Sequence, residues 1–252
     1  MRQGKPGRRG IEYRIREGTL IIDLKHFYRT ISSAPRGGGI VRARSILNHQ
    51  VPANPANSGR RAPVRWSDPA RHLGRLAVRI KARRPVVGLM TAVPMKQLVI
   101  DREQSGPIWI QCFCTVGVTN AVRAGESPRP TGSDRKNVGT INIILITNAT
   151  LATAALVGAV QVATESKTGT LIENNVRSVA RNASLATGTG TDAVVIASSV
   201  EGLHRIAYSG THTVIGAMIG RVVSRCVRVG LMRSNHWFQS GERRTRRPSG
   251  SS

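Results

Sequence analysis

The chain has few cysteines, few aromatic residues and no long apolar run. The chain of 252 residues has three cysteines, Cys112, Cys114 and Cys226. This number is low and odd, which argues against a disulfide scaffold. Such a count is typical of a reducing compartment. No apolar run approaches the roughly 18 residues that span a bilayer, and no secretory signal follows the basic N-terminus. The sequence therefore predicts a cytoplasmic protein without a membrane span.

Acidic residues are also scarce, at 13 against 38 basic ones, which gives a net charge of +25. The excess lies mostly at the two ends and in residues 60–84, while residues 85–220 are nearly neutral. The few aromatic residues do not alternate with the basic residues in the way that a base-stacking platform would need. We therefore expect no specific nucleic-acid binding. The alternative that the charge leaves open is a basic nucleic-acid-binding protein. Histidine and cysteine show no metal-ligand spacing, so no metal site is predicted.

The pattern of apolar residues predicts a single α/β or α+β domain, with a mixed central sheet and long helices packed on it. We expect a disordered basic arm at 1–10, the folded domain at 11–230 and a disordered basic tail at 231–252. Strands are predicted at 19–24, 86–94, 97–100, 108–116, 140–148 and 193–198. Helices are predicted at 41–48, 69–80 and 214–229. A long helix, capped by Thr153, is predicted at 154–167.

The stretch ATGTGTD, residues 186–192, alternates threonine with glycine before a buried strand. It is neither a P-loop nor a dinucleotide fingerprint, because it precedes a strand and contains no lysine. The alternation is expected to place three hydroxyls on one side. An aspartate at the mouth of a buried strand needs a partner or a ligand. The stretch is as compatible with a structural turn as with a site formed by Thr187, Gly188, Thr189, Thr191 and Asp192.

Two further motifs combine polar residues with helix positions. In GTHT, His212 lies between Thr211 and Thr213 at a helix start, where the helix dipole favours a neutral imidazole suited to a general base. The alternative is that His212 and Thr213 only cap the helix. In the long helix, Lys167 falls in the apolar stripe and Glu165 on the opposite side, so the lysine must be paired or reach solvent.

Residues 114–125 contain a turn after a strand in which the Asn120 amide could donate to an oxyanion. Cys112 and Cys114 share a strand face, and either thiol could be a nucleophile. No base lies near them in sequence, however, and buried structural cysteines are more common.

Several segments, in this order, resemble the adenosylcobinamide amidohydrolase family, and they cover most of residues 31–223. The shared motifs include GLMTAVPM, VGVTNAVRAGE, GTINI, TESK, ATGTGTD and YSGTHT. The family usually has alanine where this chain has Ser166. The resemblance implies hydrolysis of the amide that joins a corrin propionyl side chain to aminopropanol, giving adenosylcobyric acid in the salvage of cobamide precursors. It implies a corrinoid substrate that brings its own cobalt, with no separate cofactor.

For this reaction we expect a water activated by Glu165 or His212, with Asp192 orienting the base. Backbone donors of 187–191 or the Asn120 amide would stabilise the oxyanion. A threonine or serine hydroxyl is the alternative nucleophile, and a corrinoid-binding protein without catalysis is the alternative function. The oligomeric state is left open. Predicted substrate-binding residues are Gly37, Gly38, Gly39, Asn142, Lys167, Thr187, Gly188, Thr189, Thr191, Thr211 and Thr213.

Overall fold

The computed structural model describes residues 11–52, 68–127, 139–179 and 184–245, with side chains to residue 234. None of the helices in these ranges is long and apolar enough to cross a membrane. The strands are β1 Glu12–Arg16, β2 Thr19–Ser32, β3 Gly39–Gln50, β4 Val86–Thr91, β5 Val99–Ser105, β6 Ile108–Val116, β7 Ala121–Val122, β8 Ile141–Thr147, β9 Thr150–Leu151, β10 Gly188–Thr189, β11 Ala193–Ser199 and β12 Arg205–Ile206. The α-helices are α1 Pro69–Arg79, α2 Thr153–Glu173 and α3 Val214–Thr245.

One large mixed sheet forms the centre of the fold, in the strand order β4-β3-β2-β11-β8-β6-β5, with β1 paired to β2. Strands β8 and β11 are parallel, as are β3 and β4, and the remaining neighbours are antiparallel. Strand β8 is buried along its whole length, which is typical of an interior strand covered on both faces. The predicted mixed sheet with helices packed on it is confirmed.

Helices α2 and α3 cover one face of this sheet. A cluster of buried apolar side chains from β6, β8 and both helices fills the space between them. On the other face, β1–β4, β6, β8 and β11 contribute a second core. The sheet is curled around that second core, because Asn48 on β3 donates to Thr115 on β6, 3.1 Å away, across strands that lie between them. The curled sheet therefore has a concave interior and a mouth.

The predicted helix at 41–48 is wrong, since these residues form most of β3. Ala43 and Ser45 are fully buried, whereas Arg42 is exposed and Arg44 is partly exposed, which is the period of a strand. Strand β3 pairs with β2 on one side and β4 on the other. This pairing of distant segments outweighs the local helix propensity of an arginine-rich stretch.

Helix boundaries also differ from the prediction at two positions. Helix α2 begins at Thr153, but its N-cap is Ala152 without a side-chain cap, and the Thr153 hydroxyl instead accepts a hydrogen bond from Arg29. Helix α3 begins at Val214 as predicted and continues to Thr245, well beyond residue 230. Leu231 and Ser234 are buried, so the folded part extends past the predicted start of the tail. The arm at 1–10 lies outside the described residues.

Two amphipathic patterns are confirmed. In α1, Asp68 caps the helix by accepting from Arg71 N, and Leu73, Leu76, Ala77 and Ile80 are buried against β2, β3 and β4. In α3, the basic stripe forms ion pairs with acidic residues of β5 and α2. These pairs are Arg221–Glu103, Arg225–Asp101, Arg225–Glu103 and Arg228–Glu173.

Candidate functional site

The lysine predicted to lie in the apolar stripe of α2 forms an ion pair with the aspartate at the start of β11. Lys167 Nζ lies 2.6 Å from Asp192 Oδ2, and both side chains are almost buried, at 9% and 13% exposed. The carboxylate also accepts from the backbone N–H groups of Ile141 and Thr189 and from the Thr189 hydroxyl. Its hydrogen-bonding capacity is therefore directed to these groups, and its partners among the described residues include neither Glu165 nor His212.

Gly188 is required where it stands, because a side chain there would enter this ion pair. A Cβ atom would lie 2.5 Å from Asp192 Oδ2 and 2.7 Å from Lys167 Nζ. Both distances are shorter than any ordinary van der Waals contact. The glycine thus allows the backbone to approach the ion pair closely.

The threonine hydroxyls of the same stretch are engaged within the protein. Thr187 Oγ1 accepts from Ala124 N at 2.8 Å, and Thr191 Oγ1 donates to the Gly139 carbonyl at 3.1 Å. Thr189 donates to Asp192. Because these hydroxyls bond to three different partners, they tie residues 186–192 to the neighbouring segments and to the start of β8.

Asn142 belongs to a buried polar network on the concave side of the sheet. Its amide donates to Asn48 Oδ1 and to the Met90 carbonyl, both at 2.9 Å. Asn120 lies in the predicted turn after β6, and its Oδ1 is a buried atom without a hydrogen-bond partner among the described residues. Both residues lie near the start of β8, so the structure brings Asn120 and Asn142 to the same end of the sheet as Asp192.

The triple glycine lies at this end as well, in the turn between β2 and β3. Gly37 and Gly39 have φ values of +69° and +78°, a region that favours glycine. A Cβ at Gly37 would lie 2.9 Å from the Val86 carbonyl, and one at Gly38 would lie 2.6 Å from that of Ala34. Close approach to the protein's own backbone is therefore sufficient to explain Gly37 and Gly38, whereas Gly39 faces open space.

Glu165 is two residues from Lys167 on α2, and the GTHT motif precedes α3. Glu165 is exposed on the outer side of α2. Thr213 Oγ1 accepts from Gly216 N at 3.0 Å and donates to the Gly210 carbonyl, which confirms its capping role, and Thr211 and His212 are exposed. Among the described residues, neither Glu165 nor His212 forms a hydrogen bond or an ion pair with Asp192 or with the other.

The three thiols are fully buried. Contact with Cys226 and burial raise the pKa of Cys112 well above its ordinary value, and burial also raises the pKa of Cys114. Since the thiolate is the nucleophile, neither residue is suited to attack a substrate.

A cleft of about 510 Å³ opens at the opposite end of the sheet, at the mouth of its concave side. Strands β8 and β11, which are parallel, both finish there, and the carboxyl ends of parallel strands are the usual position of ligand sites in open α/β sheets. Asp192 precedes β11 and Ser199 ends it, so the two lie roughly 20 Å apart at about 3.3 Å per residue. The cleft is lined in part by Asp23, His26, Tyr28, Trp109, Ser199 and Glu201.

Ser199 and His26 contact each other in this cleft. His26 Nε2 lies 3.1 Å from Ser199 Oγ, and His26 Nδ1 lies 3.7 Å from Glu201 Oε2. The Glu201 N–H donates to Ser199 Oγ at 3.2 Å. The His26 ring stacks on Tyr28 with centroids 5.0 Å apart. Burial, with the charge of Glu201 adding to it, raises the pKa of Tyr28 to about 12, so that its phenol stays protonated.

A local irregularity in β2 accounts for the position of His26. The pairing of β2 with β3 shifts register between Asp23 and Tyr28, and such bulges commonly re-aim a side chain next to a functional site. Sequence reasoning missed His26 and Ser199 because they are 173 positions apart. The only local signal is the break in alternation where Lys25 and His26 interrupt an apolar strand.

The described residues contain no group of three or more histidine, cysteine, aspartate or glutamate side chains that could hold a metal ion. In the cleft, Ser199, His26 and Glu201 supply a hydroxyl, an imidazole and a carboxylate. This combination is the one that nucleophilic acyl transfer uses on several unrelated folds.

A family model described as adenosylcobinamide amidohydrolase matches residues 4–238. An adenosylcobinamide amidohydrolase of Methanosarcina mazei is 29% identical over 231 residues, covering 88% of this chain and 98% of that protein. An uncharacterised protein of Methanocaldococcus jannaschii is 28% identical over 241 residues, covering 86% and 87%. A crystal structure from Pyrococcus horikoshii aligns with a TM-score of 0.42 at 12% identity, covering 88% of this chain and 78% of that one.

Proposed function

The chain belongs to the adenosylcobinamide amidohydrolase family, and on that basis we propose that it hydrolyses the amide between the corrin propionyl side chain and aminopropanol in adenosylcobinamide. The observation that carries the proposal is the family match, which extends over residues 4–238 and so includes both ends of the sheet. The named relative from Methanosarcina mazei, covered over 98% of its length, supports it further.

In the proposed reaction, water adds across the C–N bond of a linear amide. The carbonyl carbon keeps one oxygen from water and becomes the carboxylic acid of adenosylcobyric acid. The nitrogen takes a proton and leaves as 1-amino-2-propanol. The protein must supply a base for the nucleophile, an acid for the leaving amine and donors for the oxyanion. The cobalt is part of the substrate, and the product would re-enter the salvage of cobamide precursors.

Assignment of the base to Glu165 or His212 stays a prediction from the sequence. The structure adds that both side chains are accessible to solvent. Asp192 is committed to Lys167 and to backbone donors, so we assign it a structural role at the start of β11. Lys167, Thr189 and Gly188 share that role. In contrast, Asn120 Oδ1 has no hydrogen-bond partner among the described residues and Gly39 faces open space, so both are available to a ligand.

The direct test is to incubate the full chain with adenosylcobinamide and to measure free aminopropanol and adenosylcobyric acid by mass spectrometry. Release of both at equal rates supports the proposal. Binding of the corrinoid without release would make the chain a corrinoid-binding protein. Salt-sensitive binding of plain duplex DNA in the absence of corrinoid turnover would favour the nucleic-acid alternative.

A further inference from the structure

We propose that Ser199 is the nucleophile of the reaction and that His26 is its general base, in the cleft at the carboxyl ends of β8 and β11. This inference rests on the proposed function for the identity of the substrate. The reactivity of the Ser199 hydroxyl does not depend on the proposed function and can be tested separately.

The hydrogen bonds around Ser199 Oγ direct its proton toward the histidine. The Glu201 N–H donates to this oxygen at 3.2 Å, which leaves the hydroxyl hydrogen free to point at His26 Nε2, 3.1 Å away. Proton transfer to a nitrogen at this distance needs no rearrangement. Ser199 is only 4% exposed, yet it lines the cleft, so a substrate that fills the cleft lies against it.

The second nitrogen of His26 faces a carboxylate. Glu201 Oε2 lies 3.7 Å from Nδ1, which is too long for a hydrogen bond but close enough to stabilise an imidazolium. The arrangement of hydroxyl, imidazole and carboxylate matches the roles of a nucleophile, a base and a group that orients the base. Such contacts are often long without substrate and shorten when it binds. Stacking on Tyr28 fixes the plane of the His26 ring.

The reaction would then proceed in two steps, acylation of Ser199 and hydrolysis of the acyl ester. Ser199 Oγ bonds to the amide carbonyl carbon while His26 takes the hydroxyl proton. The C–N bond breaks, and His26 returns that proton to the leaving aminopropanol nitrogen, which gives an acyl ester on Ser199. A water molecule, deprotonated by His26, attacks the ester carbonyl. The C–O bond to Ser199 breaks, the serine regains a proton from His26, and the carboxylic acid is released.

The size and rim of the cleft suit an arm of a large molecule. A volume of about 510 Å³ is within the range of small-molecule sites, about 300–1,000 Å³, and would hold the propionyl–aminopropanol arm while the macrocycle stays outside. Leu203 lines the cleft and is 94% exposed. A large apolar side chain so fully exposed offers the macrocycle a contact surface.

The first experiment compares turnover of adenosylcobinamide by wild type, Ser199→Ala and His26→Asn. We expect kcat to fall on the order of 10³-fold or more in both variants, with corrinoid binding retained. Ser198→Ala is the matched control. Its hydroxyl bonds to Ala149 and Leu151 on the other side of β11, so the folded variant should keep its turnover. A folded Ser199→Ala protein with wild-type kcat would overturn the inference.

The second experiment does not depend on the corrinoid. An alkyl fluorophosphonate reacts with an activated serine by forming an O–P bond and expelling fluoride. We expect labelling at Ser199, located by peptide mass spectrometry, and its loss in His26→Asn. If wild type releases no aminopropanol but Ser199 is labelled, the proposed function fails, and the assignment of Ser199 as a serine activated by His26 stands for another substrate. If aminopropanol is released but Ser199 is neither labelled nor required, the inference about Ser199 fails alone.

Discussion

Lys167 Nζ and Asp192 Oδ2 lie 2.6 Å apart in an almost buried ion pair that joins α2 to the start of β11. Removal of one partner from such a pair leaves an uncompensated buried charge, at a typical cost of about 3–5 kcal/mol. We therefore expect Lys167→Met to lower the free energy of unfolding by about that amount, measured by urea denaturation. The double variant Lys167→Met with Asp192→Asn should lose less unfolding free energy than the two single variants lose together, because the two residues are coupled.

An exposed ion pair of the same protein provides the control. Glu173 and Arg228 lie 3.1 Å apart with side chains 62% and 53% exposed, and such pairs contribute about 0–1 kcal/mol. Glu173→Gln should therefore leave the unfolding free energy almost unchanged. Equal losses of unfolding free energy in Lys167→Met and Glu173→Gln would show that the buried pair contributes no more to stability than the exposed one.

Gly188 and Gly190 form a matched pair for testing the close approach to the same ion pair. In Gly188→Ala the new methyl group would overlap Asp192 and Lys167, and overpacking of this kind typically costs about 1–3 kcal/mol. A Cβ at Gly190 has nothing within 4 Å, so Gly190→Ala should lie within about 0.5 kcal/mol of wild type. Thermal unfolding of the two variants measures the difference. A stable Gly188→Ala protein would mean that the ion pair moves at little cost.

His49 gives the stability a dependence on acid pH. Burial, followed by the charges of His72 and Arg79, lowers the pKa of His49 from 6.5 to about 4. The unfolded chain then takes up a proton at a higher pH than the folded protein does. Stability from this group is complete above pH 6.5 and is lost as the pH falls toward 4.

Replacement by an uncharged side chain tests this pH dependence. We expect His49→Gln to flatten the fall in unfolding free energy between pH 6.5 and pH 4, where the His49 titration acts. Urea titrations of both proteins at several pH values measure the slope. An unchanged slope in His49→Gln would assign the acid sensitivity to other groups.

The three thiols should be unreactive in the folded protein. Cys112, Cys114 and Cys226 are all fully buried, and the raised pKa values of Cys112 and Cys114 disfavour their thiolates. We expect a thiol reagent at pH 8 to modify none of the three until denaturant is added, and then to modify all of them. Rapid modification of the native protein would show that β6 or α3 opens easily.

Local patterns predicted the individual members of the Asp192 cluster, but not their pairing. The apolar stripe of α2 showed that Lys167 needs a partner, and the apolar run of β11 showed the same for Asp192. Their contact depends on the crossover from β8 through α2 to the parallel strand β11. This connection sets the distance between residues 25 positions apart, and no local pattern records it.

The cleft could not be predicted, because its chemistry comes from residues that tertiary structure alone brings together. His26 lies in an irregular part of β2, and Ser199 is the last residue of β11. Their contact requires the antiparallel pairing of these two strands, in which Ser199 lies opposite Tyr28. The local sequence does not predict strand β3 for a related reason, since its pairing with β2 and β4 is not visible in its own residues.

Glu165 separates the two mechanisms for amide hydrolysis. Its carboxylate lies on the exposed side of α2, where no described neighbour forms a hydrogen bond or ion pair with it to hold it in position for activating a water. We therefore expect Glu165→Gln to keep kcat for adenosylcobinamide within about threefold of wild type, a change of less than about 1 kcal/mol in the activation barrier. A folded Glu165→Gln protein whose kcat falls by orders of magnitude would instead assign the base to Glu165, and the nucleophile would then be water rather than Ser199.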